Sequence, residues 1–292
     1  MLYSRRLEIA KTLACVAVVL SIGIAPTLAQ DDGGNTGVYF TSEFSTVSTF
    51  GNSESLTLGL GTTLGHLWEN AELKFEGGAV RTESSIKTRT ASGTAQNFTV
   101  VDETRTEKTA EAYYLRGRYD RNLSSSFFIF GGADWLRNTF AGIDSRTLFA
   151  AGAGNTWINT DDTRFKTDLG FTYTFQDDVV SNPLNKMNFP GLRVGYDLRA
   201  TLSESTNFES SLVGDWSLED SEDLRLNLVN ALSVSINSML ALKPSLKLLW
   251  QNMPSSTDVP LFDNAGVDTG NTVLVPLEKL DSIFTLSLVI KL

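Results

Sequence analysis

The sequence predicts an all-β fold, a transmembrane antiparallel up-and-down β-barrel of about twelve strands that follows a cleaved signal peptide. Three observations support this prediction: an export signal at the start, repeated apolar/polar alternation, and connections that alternate between short and long. After Ala29 no apolar run approaches the length that a spanning helix needs. Only helices and closed barrels satisfy every backbone group inside a membrane, so a membrane location implies a barrel.

The first 29 residues have the composition of a secretory signal peptide. Arg5, Arg6 and Lys11 form a basic region, 12–24 is apolar, and small residues end at Ala29. Residues 30–36 then form a short periplasmic lead-in, and 37–292 form a single outer-membrane barrel domain. We expect export through the general secretory pathway to the outer membrane of a Gram-negative bacterium.

Cysteine content and charge exclude several classes of function. The single cysteine, Cys15, lies inside the apolar part of the signal, so the mature chain has neither a disulfide nor a thiol nucleophile. The chain has 24 basic and 34 acidic residues, and this acidic balance argues against a nucleic-acid partner.

Alternation with a period of two is clearest in residues 164–176. Phe165, Leu169 and Phe171 share one face of an extended strand. The opposite face carries Arg164, Lys166 and Asp168. A helix would distribute these charges around its whole surface, so the pattern indicates strands with one face toward lipid and one toward a polar lumen.

Twelve segments show such a pattern, and their connections are consistent with a barrel. They are 38–50, 55–68, 71–81, 109–120, 125–137, 147–159, 163–176, 190–202, 206–218, 224–236, 239–252 and 280–292. An even number places both termini of the chain on the periplasmic side. The faces of 125–137 and 147–159 stay unassigned because these segments are rich in Gly and Ala.

The connection lengths predict which end of the barrel faces the periplasm. If the first strand rises from the periplasm, the periplasmic turns are short: 69–70, 121–124, 160–162, 203–205 and 237–238. The external connections 82–108, 138–146, 177–189 and 253–279 are long, whereas 51–54 and 219–223 are short exceptions. Whether the 82–108 loop folds inward to occlude the lumen is left open.

A soluble β-sandwich is the competing architecture, because periodicity alone does not distinguish lipid from a protein core. Aromatic residues near the strand ends favour the membrane, where such side chains form interfacial girdles. They are Trp68, Tyr119, Trp135, Trp157 and Trp250.

The inward-facing positions collect charges of both signs in similar number. We expect the lumen to be lined by Glu72, Lys74, Glu76, Arg116, Arg118, Arg164, Lys166, Asp168, Arg193, Asp197, Arg199, Glu209, Asp215, Arg225, Lys243 and Lys247. Spread around a wet lumen, they make a narrow passive channel for small solutes or ions with weak anion preference. Paired across a narrow lumen, they make a closed, structural barrel instead.

Two further groups of residues have a functional and a structural interpretation. Asp134, Arg137, Asp144 and Arg146 surround the turn at 140–143 and form either a ligand site at the external mouth or an ion-paired loop. His66, the only histidine, fits an interfacial position better than a catalytic or metal-binding one. A lipid-modifying enzyme is therefore a remote alternative, and we predict no catalytic residues, cofactor or metal.

Residues 131–175, GGADWLRNTFAGIDSRTLFAAGAGNTWINTDDTRFKTDLGFTYTF, resemble the central signature of the YdiY-like family of salt-induced outer-membrane proteins. The 50–55 turn, FGNSES, and the segment 280–292 are also similar to that family. The resemblance implies an outer-membrane barrel with a link to salt or envelope stress and without an established enzymatic activity.

The expected partners follow from this location. They are outer-membrane lipids, lipopolysaccharide, and the barrel assembly machinery, which would recognise the last strand; we expect a monomer. Barrels of this kind usually end in an aromatic residue, whereas this chain ends in Leu292.

Overall fold

The computed structural model describes residues 36–49, 53–94, 97–182, 187–263 and 267–291. The predicted signal peptide, residues 30–35 of the predicted lead-in, and Leu292 lie outside the described residues.

Twelve antiparallel strands close into one barrel, in the order β1-β14-β11-β10-β9-β8-β7-β6-β5-β4-β3-β2. The predicted twelve-stranded up-and-down barrel is therefore confirmed. The barrel strands are β1 Gly37–Thr49, β2 Ser53–Trp68, β3 Ala71–Thr94, β4 Asn97–Asn122, β5 Phe127–Asn138, β6 Ile143–Asn159, β7 Thr163–Asp178, β8 Asn188–Ser203, β9 Thr206–Ser217, β10 Leu224–Ser235, β11 Leu240–Gln251 and β14 Leu280–Lys291.

The prediction of an external loop at 82–108 is wrong, because β3 and β4 continue through this segment as a long hairpin. Their pairing extends from Ala71↔Arg121 to Thr94↔Asn97, with one irregularity after Thr82. Along this ribbon each strand supplies the backbone hydrogen-bond partners of the other. Threonine, which favours strands, is frequent here, and the hydroxyls of Ser85 and Thr106 lie 2.7 Å apart across the hairpin.

The predicted external loop at 253–279 also contains regular structure. Strands β12 Ser256–Phe262 and β13 Asp268–Pro276 pair with each other as a separate two-stranded sheet. The sheet lies next to the β5–β6 connection, where a short 3-10 helix, Thr139–Ala141, is followed by Gly142 with φ 74°. A Cβ at Gly142 would lie 2.5 Å from Cβ of Ser255, so glycine permits both the left-handed backbone and this close approach.

The two ends of the barrel differ in their connections. We call the end with β2–β3, β4–β5, β6–β7, β8–β9 and β10–β11 the short-turn end, and the opposite end, with the β3–β4 hairpin and β12–β13, the long-loop end.

The outer surface of the barrel is apolar in its middle and aromatic at both ends. Leu169 and Phe171 of β7 are 60% and 71% exposed. Trp68 and Tyr119 have ring centroids 6.4 Å apart at the short-turn end, and Trp135 and Trp216 are exposed at the other. This arrangement is typical of a barrel wall in contact with lipid. Among the residues that the structure describes, no helix has the length and apolar character to cross a membrane.

The structure assigns the faces that the sequence left open in β5 and β6. Phe128 and Phe130 of β5 point inward and are almost fully buried, whereas Phe127 and Ile129 point outward. A Cβ at Gly154 of β6 would lie 2.3 Å from the Phe128 ring. Glycines in the wall therefore make room for the inward aromatic rings, a role that has no apolar/polar signature in the sequence.

Candidate functional site

The barrel lumen holds the chemically distinctive side chains, and its two sides differ. We call the inward face of β4–β8 the charged wall. It carries Arg116, Arg118, Asp120, Asp134, Lys166, Asp168 and Arg193. Their positions follow from the period-two alternation, because every inward residue is two positions from the next.

Arg193 of β8 is the most highly connected cation of the charged wall. Its guanidinium donates to both carboxylate oxygens of Asp215 on β9, at 2.7 and 3.0 Å, and to Asp134 at 3.0 Å. Asp134 lies on β5, three strands away, so this contact crosses part of the lumen. Arg116 Nε donates to the other oxygen of Asp134 at 3.0 Å and completes the chain of charges.

A second crossing lies closer to the short-turn end. Arg118 of β4 donates to Asp120 at 2.7 Å and to Asp168 of β7 at 2.9 Å. Lys166 Nζ is 3.8 Å from Asp120. Strands β4 and β7 are therefore joined by side chains across the lumen as well as by the hydrogen-bonded strands between them.

A third crossing involves Glu72 of β3. Its carboxylate accepts from the hydroxyl of Tyr39 at 2.8 Å and lies 3.7 Å from Arg164 of β7. Strands β3 and β7 are four positions apart in the barrel order, which makes this a contact through the lumen.

Four apolar side chains fill the space beside these ion pairs: Phe128, Phe130, Leu148 and Ala150, each at most 7% exposed. The Arg118 guanidinium lies 4.1 Å from the centroid of the Phe130 ring, and Lys166 Nζ lies 5.2 Å from that of Phe128. Cations stacked on rings retain an electrostatic partner without water. This part of the lumen is packed rather than open.

The opposite side of the lumen is lined by small side chains, and we call it the small-residue wall. It is the inward face of β14, β1 and β2, with Thr285, Ser287, Thr41, Ser45, Gly59, Gly61, Thr63 and Gly65, and with the larger Tyr39, Glu43 and Val289 among them. Gly65 lies under the ring of Tyr39, since a Cβ there would be 2.1 Å from Cζ of that ring. One ion bridge passes in front of this wall: Lys243 Nζ is 2.7 Å from Glu43 and 3.2 Å from Glu209.

The long-loop end has a polar layer of its own. Arg146 of β6 donates to Gln176 at 2.7 Å and, across the lumen, to Gln251 of β11 at 3.3 Å. Arg225 contacts Asp223 at 2.6 Å and stacks on Phe189 at 4.8 Å. Within the described residues, Arg146 has amide oxygens as partners but no carboxylate within ion-pair distance.

Lys247 is the other lumen cation that lacks a carboxylate partner among the described residues. It lies on β11, and its ammonium faces the Tyr114 ring of β4 at 5.8 Å. Strands β11 and β4 lie on opposite sides of the barrel, so this contact also reaches across the lumen.

The structure places the predicted lumen charges on inward positions of the strands. Lys74 contacts Glu76 at 3.4 Å and Arg199 contacts Asp197 at 3.6 Å, in addition to the pairs above. Glu43 and Asp120 were missed, although the same alternation that places Arg118 would have found Asp120. The inward Phe128 and Phe130 had no such signal, because aromatic residues fit either face.

Of the four residues that the sequence placed around the external turn, the structure pairs only two, as the ion-paired-loop interpretation expects. Arg137 and Asp144 pair with each other at 3.0 Å on the outside of the barrel. Asp134 and Arg146 point into the lumen. Asp134 is three positions from Arg137 and so lies on the opposite face of β5, whereas Asp144 and Arg146 have the same parity and are separated by the register irregularity at 143–145. Alternation and the register irregularities next to the turn therefore distribute four residues that are close in sequence over three separate places.

Two regions outside the lumen carry other candidate groups. The ring of His66 lies 4.2 Å from that of Trp68 on the outer surface, next to the aromatic residues of the short-turn end. On the β3–β4 hairpin, hydrogen bonds from Lys108 and Tyr113 lower the pKa of Glu111. Within the described part of the chain, no group of three or more His, Cys, Asp or Glu side chains could hold a metal ion.

Comparison with protein families gives a match to the family described as "Protein of unknown function, DUF481" over residues 42–263. A protein of Escherichia coli K12 described as "Uncharacterized protein YdiY" is 30% identical over 175 residues, which are 56% of this chain and 60% of that protein. The aligned region thus spans less than two thirds of this relative.

Two solved structures are similar to this chain at low sequence identity. An outer-membrane channel from Pseudomonas putida F1 has 11% identity and a TM-score of 0.44, covering 92% of this chain and 100% of that one. The translocator domain of the autotransporter NalP from Neisseria meningitidis has 13% identity and a TM-score of 0.40, covering 99% and 96%. Both TM-scores are too low for an inference about activity.

Proposed function

The chain belongs to the family of proteins of unknown function DUF481, and from its geometry we propose that it is a narrow passive pore for small ions in the bacterial outer membrane. The observation that carries this proposal is the asymmetry of the lumen. A wall of small polar side chains faces a wall of ion-paired ones, so a polar path can run beside the charges.

The proposed location rests on the outer surface of the barrel. An apolar band between two aromatic girdles matches a bilayer, and the short-turn end would face the periplasm. In this setting the chain would contact outer-membrane lipids and lipopolysaccharide, insert through the barrel assembly machinery and remain a monomer. No catalytic activity is part of the proposal.

The bore of such a pore would be set by Lys243. Its side chain reaches from β11 to Glu43 on β1 and to Glu209 on β9, and so lies across the front of the small-residue wall. Arg146 and Lys247 lack carboxylate partners in the described structure and would give a weak preference for anions.

The test is a planar-bilayer recording of refolded wild-type protein and of Lys243→Ser. We expect a small conductance for the wild type and a roughly two-fold larger one for the variant, with a shift toward cations, because Glu43 and Glu209 lose their counter-charge. Arg137→Gln is the matched control, since this cation pairs with Asp144 outside the lumen. If neither protein conducts above the lipid baseline, the pore proposal fails.

We also propose that the pore has a role under salt or envelope stress. Side chains of Arg116 and Glu209 are 41% and 43% exposed, so salt can screen their ion pairs, with a Debye length of about 10 Å at 0.1 M and 3 Å at 1 M. The wild-type conductance should therefore rise more steeply between these concentrations than the conductivity of the solution does. A conductance that increases in strict proportion to the conductivity of the solution would contradict the proposed role under salt stress.

A second candidate function is a structural barrel with a closed lumen. It is supported by the contacts across the lumen, above all Arg193–Asp134, Arg118–Asp168 and Arg146–Gln251. The absence of conductance in the wild type and Lys243→Ser, combined with a strong loss of stability when Arg193 is replaced, would favour this function over the pore.

A further inference from the structure

The chain between β11 and β14 crosses the opening of the lumen at the long-loop end, which we call the mouth. Ser255 is four residues beyond Gln251, the last residue of β11, and four residues span at most about 14 Å. Ser255 nevertheless lies against Gly142 of the β5–β6 connection. Four strands separate β11 from β6, so a path along the rim would cover five interstrand spacings, or about 24 Å. The chain therefore takes the direct path above the lumen.

We call the described residues of this segment, 252–263 and 267–279, the strap. Both of its ends are fixed on the same side of the barrel. Asn252 Nδ2 donates to the backbone oxygen of Glu222 at 2.9 Å, and Lys279 Nζ donates to Asn252 Oδ1 at 2.9 Å. The two ends of the strap are therefore joined to each other and to the neighbouring β9–β10 connection.

On the far side of the mouth, small polar side chains hold the strap. Ser255 Oγ donates to Asp178 Oδ1 at 3.0 Å, and Asn182 Nδ2 donates to Ser256 Oγ at 3.1 Å. Both serines are only 3% exposed. We call these two hydrogen bonds the latch. The base of the strap is thus buried against the end of β7 and the residues that follow it.

The mouth is narrow enough for this base to cover it. One layer below the latch, Arg146 of β6 already reaches Gln251 of β11 across the lumen, at 3.3 Å. The strap lies above this contact, because Ser255 follows Gln251 by four residues in the direction of the long-loop end. Solutes that enter from this end therefore meet the strap before they meet the charged wall.

Two features allow the strap to move as one body. Strands β12 and β13 pair with each other as a separate sheet, and within the described ranges no backbone ladder joins them to a barrel strand. The latch consists of hydrogen bonds from short side chains, which water can replace once the groups separate. Segments with few contacts of this kind open locally at a lower cost than the strands of a closed sheet.

We propose that the strap is the gate of the pore. In the closed state it covers the mouth, and it opens when the latch separates and the strap turns about its ends at Asn252 and Lys279. The proposal rests on the proposed pore and adds the place at which the pore is regulated. The β3–β4 hairpin projects from the same end of the barrel but continues two neighbouring wall strands, so it has no part in the closure.

The first experiment removes the strap and records conductance in planar bilayers. Two glycines replace residues 253–278, and Gln251 N, which donates to the Lys279 oxygen at 2.8 Å, permits such a short turn. The mean conductance should rise about threefold over the wild type, because the mouth is then permanently open. The matched control replaces residues 86–105 of the other projecting segment by two glycines, next to the pair Ser85↔Thr106, and should conduct like the wild type.

The second experiment locks the strap. Asn182→Cys and Ser256→Cys, in a Cys15→Ser background, are joined by a short bifunctional thiol reagent with a reducible spacer. The conductance should fall to the lipid baseline and return after reduction. Asn182→Cys alone, treated with the same reagent, is the control and should keep its conductance. The heat-dependent shift of the folded barrel in gel electrophoresis verifies that each variant is folded.

The third experiment measures the movement without conductance, from the distance between spin labels at Asp144→Cys and Thr272→Cys in lipid vesicles. The wild-type strap should give two distances, and replacing both latch serines by alanine should increase the population of the longer one. A single distance that these replacements leave unchanged, or a wild-type conductance that removal of the strap leaves unchanged, would overturn the gate while the pore stands. The absence of conductance in every one of these proteins would overturn the pore and the gate with it.

Discussion

The charged wall and the small-residue wall face each other across one lumen but are stabilised in different ways. Strands β4–β8 are joined by their backbone ladders and by side-chain bridges such as Arg193–Asp134 and Arg118–Asp168. Among the described residues, strands β14 and β1 pair at five positions, and Lys243 bridges from β11 to Glu43 of β1 in front of them.

This difference shows how one closed sheet can combine strands that are joined by many side-chain bridges with strands that are joined by few. Contacts through the lumen resist any separation of β4–β8, because each bridge joins strands that are not neighbours. Toward the long-loop end, no such bridge joins β14 to β1 among the described residues. A change in the distance between these two strands therefore disrupts fewer interactions. We therefore expect substitutions in the charged wall to affect stability most.

The largest effect should come from Arg193→Met. This change leaves Asp134 and Asp215 without their shared partner in a site where the Arg193 side chain is only 12% exposed. Removal of one member of a buried ion pair typically costs about 3–5 kcal/mol. Urea unfolding of the refolded barrel in lipid vesicles measures this loss. A cost comparable to that of Arg137→Gln, whose ion pair is half exposed, would contradict the idea of a rigid charged wall.

The next largest effect should come from Phe128→Ala. Phe128 is 1% exposed, and its ring packs against Gly154 and under Lys166. Truncation creates a cavity and removes the ring from the ammonium, which together should cost about 3 kcal/mol. The same unfolding measurement applies, with Phe127→Ala as the control because Phe127 points outward on the same strand. Equal losses for the two variants would show that this part of the lumen is not a packed core.

A smaller effect is expected for Lys243→Met on the opposite wall. Its partners Glu43 and Glu209 have side chains 34% and 43% exposed, so water can partly replace the lost lysine. We expect a cost of about 1 kcal/mol. The measurement is again the free energy of unfolding. A loss as large as that of Arg193→Met would mean that both walls are equally rigid.

The smallest effect concerns Glu111 on the β3–β4 hairpin, where charges are exposed. Its pKa should lie below the ordinary value of 4.5, because Lys108 and Tyr113 donate hydrogen bonds to it. The lowered pKa means that these contacts persist above the ordinary value and are lost as the pH falls through the folded value. A carboxyl 13C NMR titration measures the midpoint, and Lys108→Gln should raise it. If that variant left the midpoint unchanged, the hydrogen bond from Lys108 would be absent in solution.

Much of this architecture could be predicted from the sequence because it depends on local alternation. Every predicted strand is present, and residues such as Arg164, Lys166 and Asp168 share a face because the backbone of a strand imposes it. The long β3–β4 hairpin was not foreseen. Its residues are polar on both faces, and polarity alone does not distinguish a solvated ribbon from a loop.

By itself the sequence determined that the chain forms a barrel with an apolar outside and a charged inside, since period-two patterning acts between neighbouring residues. Only the tertiary structure decided which charges meet. Arg193 and Asp134 are 59 residues apart, and their contact depends on the closure and curvature of the sheet. The five-position seam likewise follows from the register of β1 against β14, because strands so distant in the chain are aligned by the closed sheet and not by local preference.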